Sequence, residues 1–504
     1  MRVLISILLF NQLIFSANIL SNCIVAPDTR TFERFQFTFP EQIESEHFIV
    51  HFTTSNADSQ FVNEQWLNLQ CNFGYAQSVI ELAEYALAIF MEADWEMMPP
   101  DCDEGITDEE SPNHCNNFGG NALYDIYLAN DAVGLVAPEN PYPVEPYIGG
   151  FTSFMQVTPL GNEHTFVPDW SVHVIAHELH HAIQIRYGTS VSGEPGNYAY
   201  NGWLYEQTST YMENVIFPAS YHFLVMMGNC NITSPLTYPE ISIDSSVDIY
   251  QYRSALWQKF LVEAYGDSTI NRLIWEGFGL ETATGNPVNM FPIYESALQT
   301  VTDGVTTLGD AYQDYALWRY FTGSRSRPGE FFMQAASYCT ANLLAIEETS
   351  TTFPSEKGGA RLVKLLPYET NLLLASSAYD NLLVQHISFS EEDEILMSSI
   401  EVNGEESFFQ LYNPAGDNHA LLITSEYTGE PGEEIEFTLA NTVPFMEGDI
   451  TGDSMVNIQD IIVQINIILH QIDPTEYQWL AADLDENNVV DVLDVILLVN
   501  LILG

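Results

Sequence analysis

The sequence predicts an α+β chain assembled from consecutive units. Three observations carry this reading. Up to about residue 350, strand-like alternation and helical periodicity are interleaved. After Ser350 the apolar runs become short and alternating, separated by Gly, Asn, Pro and acidic residues, the pattern of a small antiparallel sandwich. From Gly448 a 12-residue acidic loop leading into an apolar helix occurs twice, 34 residues apart, and such a repeat marks a separate module.

The elements follow in order. Arg2, the apolar stretch Val3–Phe10 and small residues at Ser16, Ala17 and Ser21 have the plan of a secretory signal peptide, expected over residues 1–21. Residues 22–350 are the first folded unit. His47–Thr53 alternates as a strand, and Ala76–Met91 has helical spacing. Leu123–Leu128 and Phe151–Val157 read as strands, and Trp170–Tyr187 and Trp203–Val215 as helices. The rest is mostly helical, as in Ser254–Tyr265 and Tyr312–Phe321. Between the first helix and the second strand, Asp94–Glu110 is a loop holding Asp94, Glu96, Asp101, Asp103, Glu104, Asp108, Glu109 and Glu110. It reads as a solvated acidic turn, or as a calcium site. The sandwich occupies residues 351–446, with strands at Leu362–Leu366, Leu382–Phe389, Phe408–Tyr412, Ala420–Ser425 and Ile435–Leu439. It reads as a ligand-binding domain or a spacer, and the spacer reading leads because no constellation of site residues is visible in it. The repeated module fills residues 447–504.

Composition limits the partners. With 13 Lys+Arg against 69 Asp+Glu and a net charge of -56, the chain lacks the cations that phosphate binding requires. Nucleic acid is excluded, and an anionic membrane surface would repel the protein. Apolar residues make up 46% of the chain, enough for packed cores. The expectation is an extracellular protein with no membrane contact after signal cleavage. Six cysteines do not make a disulfide scaffold, but export permits bridges. Cys102 and Cys115 bracket an irregular loop and are the expected pair.

The chemistry is concentrated in one helix. Residues 176–181 read A-H-E-L-H-H. On a helix His177 and His181 project from one face, one turn apart, so both imidazoles can reach one metal ion. Glu178 follows the first of them, where its carboxylate can take a proton from a water held by the metal. A hydrolytic zinc site needs a third protein ligand. Glu206, in the stretch W-L-Y-E-Q-T-S-T-Y-M-E-N, lies 25 residues beyond His181 on a second predicted helix. Thr210 and Glu213 share its face and are placed to hold the histidine ligands from behind. His180 reads as lining the cleft or the surface, and His173 as a cleft or core histidine. Tyr205 and Tyr211 are candidates for stabilising an oxyanion.

His177-Glu178-x-x-His181 followed by Trp203-Leu204-x-Glu206 resembles the gluzincin metallopeptidases, the group typified by thermolysin and including the aminopeptidases with a W-L-x-E motif. The resemblance implies a zincin-like domain: a small mixed sheet, an active-site helix and a helical lobe. It implies zinc bound by His177, His181 and Glu206, with Glu178 as general base toward a peptide or protein substrate. Gln207 stands where a small residue is usual in that group. No G-x-M-E-N motif lies on Phe151–Val157, which favours an endopeptidase. If that strand is the sheet edge, an extended peptide can add to it. The contrasting reading is a surface adhesion or scaffold protein whose zinc site is structural or degenerate; a carbohydrate-active enzyme is a third.

The repeated loops are Asp449 to Asp460 and Asp483 to Asp494. Oxygen-bearing side chains stand at loop positions 1, 3, 5, 9 and 12: Asp449, Thr451, Asp453, Asn457 and Asp460, then Asp483, Asp485, Asn487, Asp491 and Asp494. These are positions from which EF-hand-type loops ligate calcium. Helices are expected at Ile461–Leu469 and Val495–Leu503. The duplication is similar to a type I dockerin, which implies two Ca2+ ions and a cohesin-like partner. Ser454 and Asn488 replace the usual loop glycine. The usual partner-reading positions hold Ile458-Gln459 and Val492-Leu493, apolar enough to pack onto the sandwich instead.

Overall fold

The computed structural model describes residues 34–503, apart from 63–64, 103–104, 106–107, 109–113, 130–133, 190–196, 283–287, 346–350, 366–368, 390–393, 413–417, 427–433, 442–446, 452–454, 473, 475, 486 and 488. The expected signal segment, residues 1–21, lies outside these.

The first unit is built on a five-stranded mixed sheet. Its strands are β1 (Glu41–Glu44), β2 (Phe48–Phe52), β5 (Tyr124–Tyr127), β6 (Gly134–Pro141) and β7 (Phe151–Val157), with a separate hairpin of β3 (Ser59–Val62) and β4 (Gln65–Asn68). The order is β1-β2-β5-β7-β6. The β2–β5 and β5–β7 pairs are parallel; the two outer pairs are antiparallel. Phe151–Val157 is therefore an inner strand, and the edge is β6. The sequence reading missed β6 because Gly-Leu-Val-Ala-Pro-Glu-Asn-Pro does not alternate and carries two prolines. Proline removes a ladder donor and is tolerated at an edge.

Helix α1 (Phe73–Glu92) buries Ala76, Val79, Ile80, Ala83, Leu87 and Phe90 on one stripe against the sheet, and its Asn72 cap accepts from the Gly74 N–H. Helix α2 (Val172–Tyr187) is buried along its length from Val174 to Tyr187. It lies between β6 and β7, α1 and α3 (Asn197–Ile216). A helix buried all round places polar side chains against its neighbours; in α2 the buried ones are His177, Glu178, His180, His181, Gln184 and Arg186. Further helices, including Ala255–Tyr265 and Leu308–Tyr320, complete the helical lobe.

Two disulfides brace this unit. Cys102–Cys115 joins the expected pair; Cys230–Cys339, unforeseen, closes a loop of 109 residues. The loop that begins at Asp94 is not simply solvated. Asp101 is buried and paired to Arg34, and its carboxyl is pushed up to about 8 by burial and by its hydrogen bond to Asp125. Asp103, Glu104, Glu109 and Glu110 lie outside the described residues.

The sandwich has one sheet ordered Leu396–Ile400, Leu382–Phe389, Asn418–Ser425, Ala360–Lys364 and Leu344–Ala345, and a second ordered Glu406–Tyr412, Glu369–Ala375, Glu434–Asn441 and Thr351–Glu356. It starts at Leu344, ahead of the boundary read at residue 350. It is not a spacer. Ala360, Leu362, Ile387, Ala420 and Leu422 belong to the same buried core as Tyr312 and Ala316 of the helical lobe, and Phe389 packs on Phe321 with centroids 5.0 Å apart. Lys357 is buried against Asp244 at 2.9 Å. One face of the first sheet docks on the helical lobe.

Removing the Cys230–Cys339 bridge frees a long loop in the unfolded chain. Cys230→Ser with Cys339→Ser is expected to cost about 5 kcal/mol by loop entropy, seen as a lower urea midpoint under non-reducing conditions.

Candidate metal centre and calcium module

The site forms where α2 meets α3. His177 and His181 leave one face of α2, with ring centroids 4.6 Å apart and planes at 89°. Glu206 comes from α3 and reaches both: its Oε2 lies 3.1 Å from His177 Nε2 and 3.3 Å from His181 Nε2. All three side chains are buried. The structure therefore brings together the three residues that the sequence proposed as ligands.

The tautomers follow from the outer contacts. His177 Nδ1 lies 2.7 Å from Glu213 Oε1, so it donates there. His181 Nδ1 donates to Gln184 Oε1 at 2.7 Å, and Ser209 Oγ is 3.1 Å away. The Gln184 amide is fixed in turn, because its Nε2 donates to His180 Nδ1 and to the Tyr205 carbonyl. With both Nδ1 protons committed, the Nε2 lone pairs point at the Glu206 carboxylate, and His181 Nε2 is buried without a hydrogen bond. Two imidazole nitrogens and a carboxylate oxygen, all within 4.8 Å of one another, are a donor set that fits one divalent cation of the zinc type.

Electrostatics agree. Burial opposes ionisation of Glu206, but His181 and His177 outweigh it and hold the carboxyl well below its usual range. Glu213 is likewise held down, by His222, His173 and His177 against burial. Burial lowers His181 despite Glu206, keeping the imidazole in the neutral form that ligates. Buried negative charge needs a compensating cation.

Several residues sit differently from the sequence reading. His180 is neither at the surface nor in a cleft. It is fully buried between Phe90, stacked at 5.2 Å, and Trp95, edge-on at 4.9 Å, and burial holds it neutral. Thr210 Oγ1 is buried with no hydrogen bond; Ser209 and Gln184, not Thr210, hold His181. The Tyr205 hydroxyl donates to the Gly188 carbonyl at 2.6 Å, committed away from the histidines. Tyr211 is buried on the face toward Glu263, which adds to burial in raising its hydroxyl pKa. Gln207 also points away from the site: its Nε2 donates to the Ile243 carbonyl and to Ser254 Oγ. Helical spacing alone fixes these side chains by angle, and the neighbours decide which of them meets what.

Two site neighbours have no local sequence signal. Tyr252 stacks on His177 with centroids 5.9 Å apart and planes at 20°. Gly134 opens β6 against Glu178, which is buried; a Cβ at Gly134 would fall 2.5 Å from Glu178 Cγ. Only glycine lets the edge strand come this close.

The C-terminal loops are built alike. In the first, Asp460 Oδ1 accepts from the Thr451 N–H (2.8 Å) and hydroxyl (2.9 Å), while Oδ2 accepts from the Asn457 N–H at 2.8 Å. In the second, Asp494 Oδ1 accepts from the Leu484 and Asp485 N–H groups, and Oδ2 from the Asp491 N–H at 2.8 Å. Asp449 lies beside Thr451, and Asp483, Asp485 and Asp494 converge within 4.8 Å. Asp453 lies outside the described residues. Asn457 caps its helix by accepting from the Gln459 N–H, and Asp491 does the same for Leu493. The helices start at Ile458 and Val492, one turn earlier than read: Asp460 completes a capping box with Asn457, and in the second loop the Asp494 carboxylate accepts from the Asp491 N–H. A short helix, Glu476–Ala482, joins them. Ile450, Ile467, Ala481, Ala482 and Leu498 form the small core. Ile458, Val492 and Leu493 are 68%, 64% and 56% exposed, so they are not packed on the sandwich.

Comparison with known proteins agrees in part. Residues 447–503 match the dockerin type I domain. The C-terminal module is thus a type I dockerin, a calcium-binding domain of a class that docks to cohesin partners. Residues 165–294, which hold α2 and α3, match a family of unknown function, DUF6055. No curated protein matches. Among solved structures, the pre-peptidase C-terminal domain of a collagenase from Bacillus anthracis aligns at 13% identity over 20% of this chain and 93% of that one, with a TM-score of 0.15. A family GH115 4-O-methyl-α-glucuronidase aligns at 12% identity over 57% of this chain and 46% of that one, with a TM-score of 0.11. Neither score bears on the fold. Among the described residues no helix is long and apolar enough to cross a membrane.

Calcium removal is expected to unfold residues 447–504 alone. Calorimetry with a chelator should show one small transition lost while the main transition stays. Asp494→Ala, which removes the acceptor for three loop N–H groups, should lose the same transition even in excess calcium.

Proposed function

We propose that this chain is a secreted zinc-dependent endopeptidase that carries a calcium-dependent docking module. The observation that supports it best is the convergence of His177 Nε2, His181 Nε2 and Glu206 Oε2 beside Glu178. The mixed sheet with β6 at its edge, α2 beneath that edge and a helical lobe beyond it supports a zincin-like arrangement.

Zinc held by His177, His181 and Glu206 would supply Lewis acidity, enough to lower the pKa of water from about 15.7 to about 7. Glu178 is the general base: its carboxylate takes a proton from the attacking water and passes it to the leaving amine nitrogen as the peptide bond breaks. As the strand at one end of the sheet, β6 is the candidate for pairing with an extended substrate, which would place the scissile bond near Glu178 where Gly134 opens the approach. Glu213, Gln184 and Ser209 keep the two imidazoles in the ligating tautomer. Tyr252, over His177, is the candidate donor to a developing oxyanion.

The test is hydrolysis of casein by the wild-type protein and by Glu178→Gln, with zinc measured in both. The expected result is cleavage by the wild type and none by the variant, both holding one zinc. Zinc in both without cleavage by either would favour the contrasting scaffold reading. Gly134→Ala is expected to keep its zinc but to lose roughly 10- to 100-fold in kcat, because the added methyl displaces Glu178.

A further inference from the structure

We propose that His222 is a positioning residue for the metal centre, acting through Glu213; this rests on the zinc reading above. Each oxygen of the Glu213 carboxylate faces an imidazole. Oε1 is 2.7 Å from His177 Nδ1, and Oε2 is 2.5 Å from His222 Nδ1. A carboxylate held at one oxygen can swing about that bond; held at both, it keeps the lone pair of Oε1 on the His177 N–H. That bond sets the tautomer and orientation of the first metal ligand, and a ligand so supported is a better base toward the ion.

The chain geometry is spent on this contact. His222 opens its own short helix, His222–Gly228, and turns back onto a residue of α3. The turn is made by Tyr221 at φ 60°, ψ -2°, a left-handed conformation that a bulky side chain rarely adopts. His173, one turn before His177 on α2, stacks on the His222 ring at 3.9 Å with an 18° interplanar angle and fixes its plane. His173 is itself pushed down to about 3, by burial first and then by His222.

His173, Glu213 and His222 are close enough together to suggest a second ion. The stacking points the other way. Lone pairs of two nearly parallel rings lie in parallel planes and do not meet at one point. Glu213 and His222 form a hydrogen-bonded support, and His173 stacks on it.

The test is zinc affinity of the full-length protein, stripped of metal and titrated against a chelating indicator, for wild type, His222→Ala and His222→Asn. His222→Ala is expected to weaken zinc binding by about 10- to 100-fold. His222→Asn, whose amide N–H can take the place of Nδ1–H, should recover most of that. The melting temperature of the three metal-free proteins should be the same. If His222→Ala binds zinc as tightly as wild type, the proposal is overturned. Equal losses in both variants with a lowered metal-free melting temperature would also overturn it, since His222 would then only support the fold. A wild type that binds no zinc would remove the metal reading itself.

Discussion

Three buried carboxylates dictate much of the first unit. Glu178, Glu206 and Glu213 are each 2% exposed or less. An unpaired buried carboxylate costs several kcal/mol even after relaxation. The chain meets Glu206 and Glu213 with imidazoles, His177 and His181 from α2 and His222 from the short helix that follows α3, rather than with Lys or Arg, of which it has 13 in total. Histidine can donate at one nitrogen and ligate at the other, so one residue type serves both the support and the site. Around this centre α2 is enclosed on every side, and even His180, which has no part in the donor set, is held in an aromatic box of Phe90, Trp95 and Trp275.

That enclosure extends to the sandwich. The segment from Pro239 to Asp244 lies between the sandwich and α3. On one side Glu240 and Asp244 pair with Arg361 and Lys357, and the Ser242 N–H donates to Glu356. On the other side the Ile243 carbonyl accepts from Gln207, the neighbour of Glu206. Gln207 thus ties α3, which carries Glu206, to a segment clamped by the next domain. The sandwich forms part of the frame around the candidate metal centre.

The dockerin follows a different logic. Its folding determinants are local and repeated: a carboxylate at the end of each loop caps the helix and gathers the loop N–H groups. Its own core is five small or aliphatic buried side chains, and its helices present Ile458, Ile462, Val492 and Ile496 to solvent. With so small a core, ion binding is folding energy for such a module, and an exposed apolar face of this kind fits a domain that docks.

How much was legible depends on the range of the interaction. Phe151–Val157, α1, α2 and the two acidic loops could be read because periodicity and motif spacing are set within a few residues. The donor set of His177, His181 and Glu206 was legible for the same reason: two residues share a helix face, and the third sits on the next helix at the spacing of a known motif. Gly134, Tyr252, His222 and the Cys230–Cys339 bridge were not. Each meets the site or its partner only because separate elements pack together, and nothing in their neighbours marks them. The edge strand β6 was hidden by its prolines, and the sandwich was misread as a spacer because alternation shows that a strand has two faces but not what covers the outer one. The sequence alone determined which residues could ligate, since side-chain chemistry and helical pitch are local. Only the tertiary structure decided what holds those ligands in place, since hydrogen-bond partners of a buried histidine come from whichever element is packed against it.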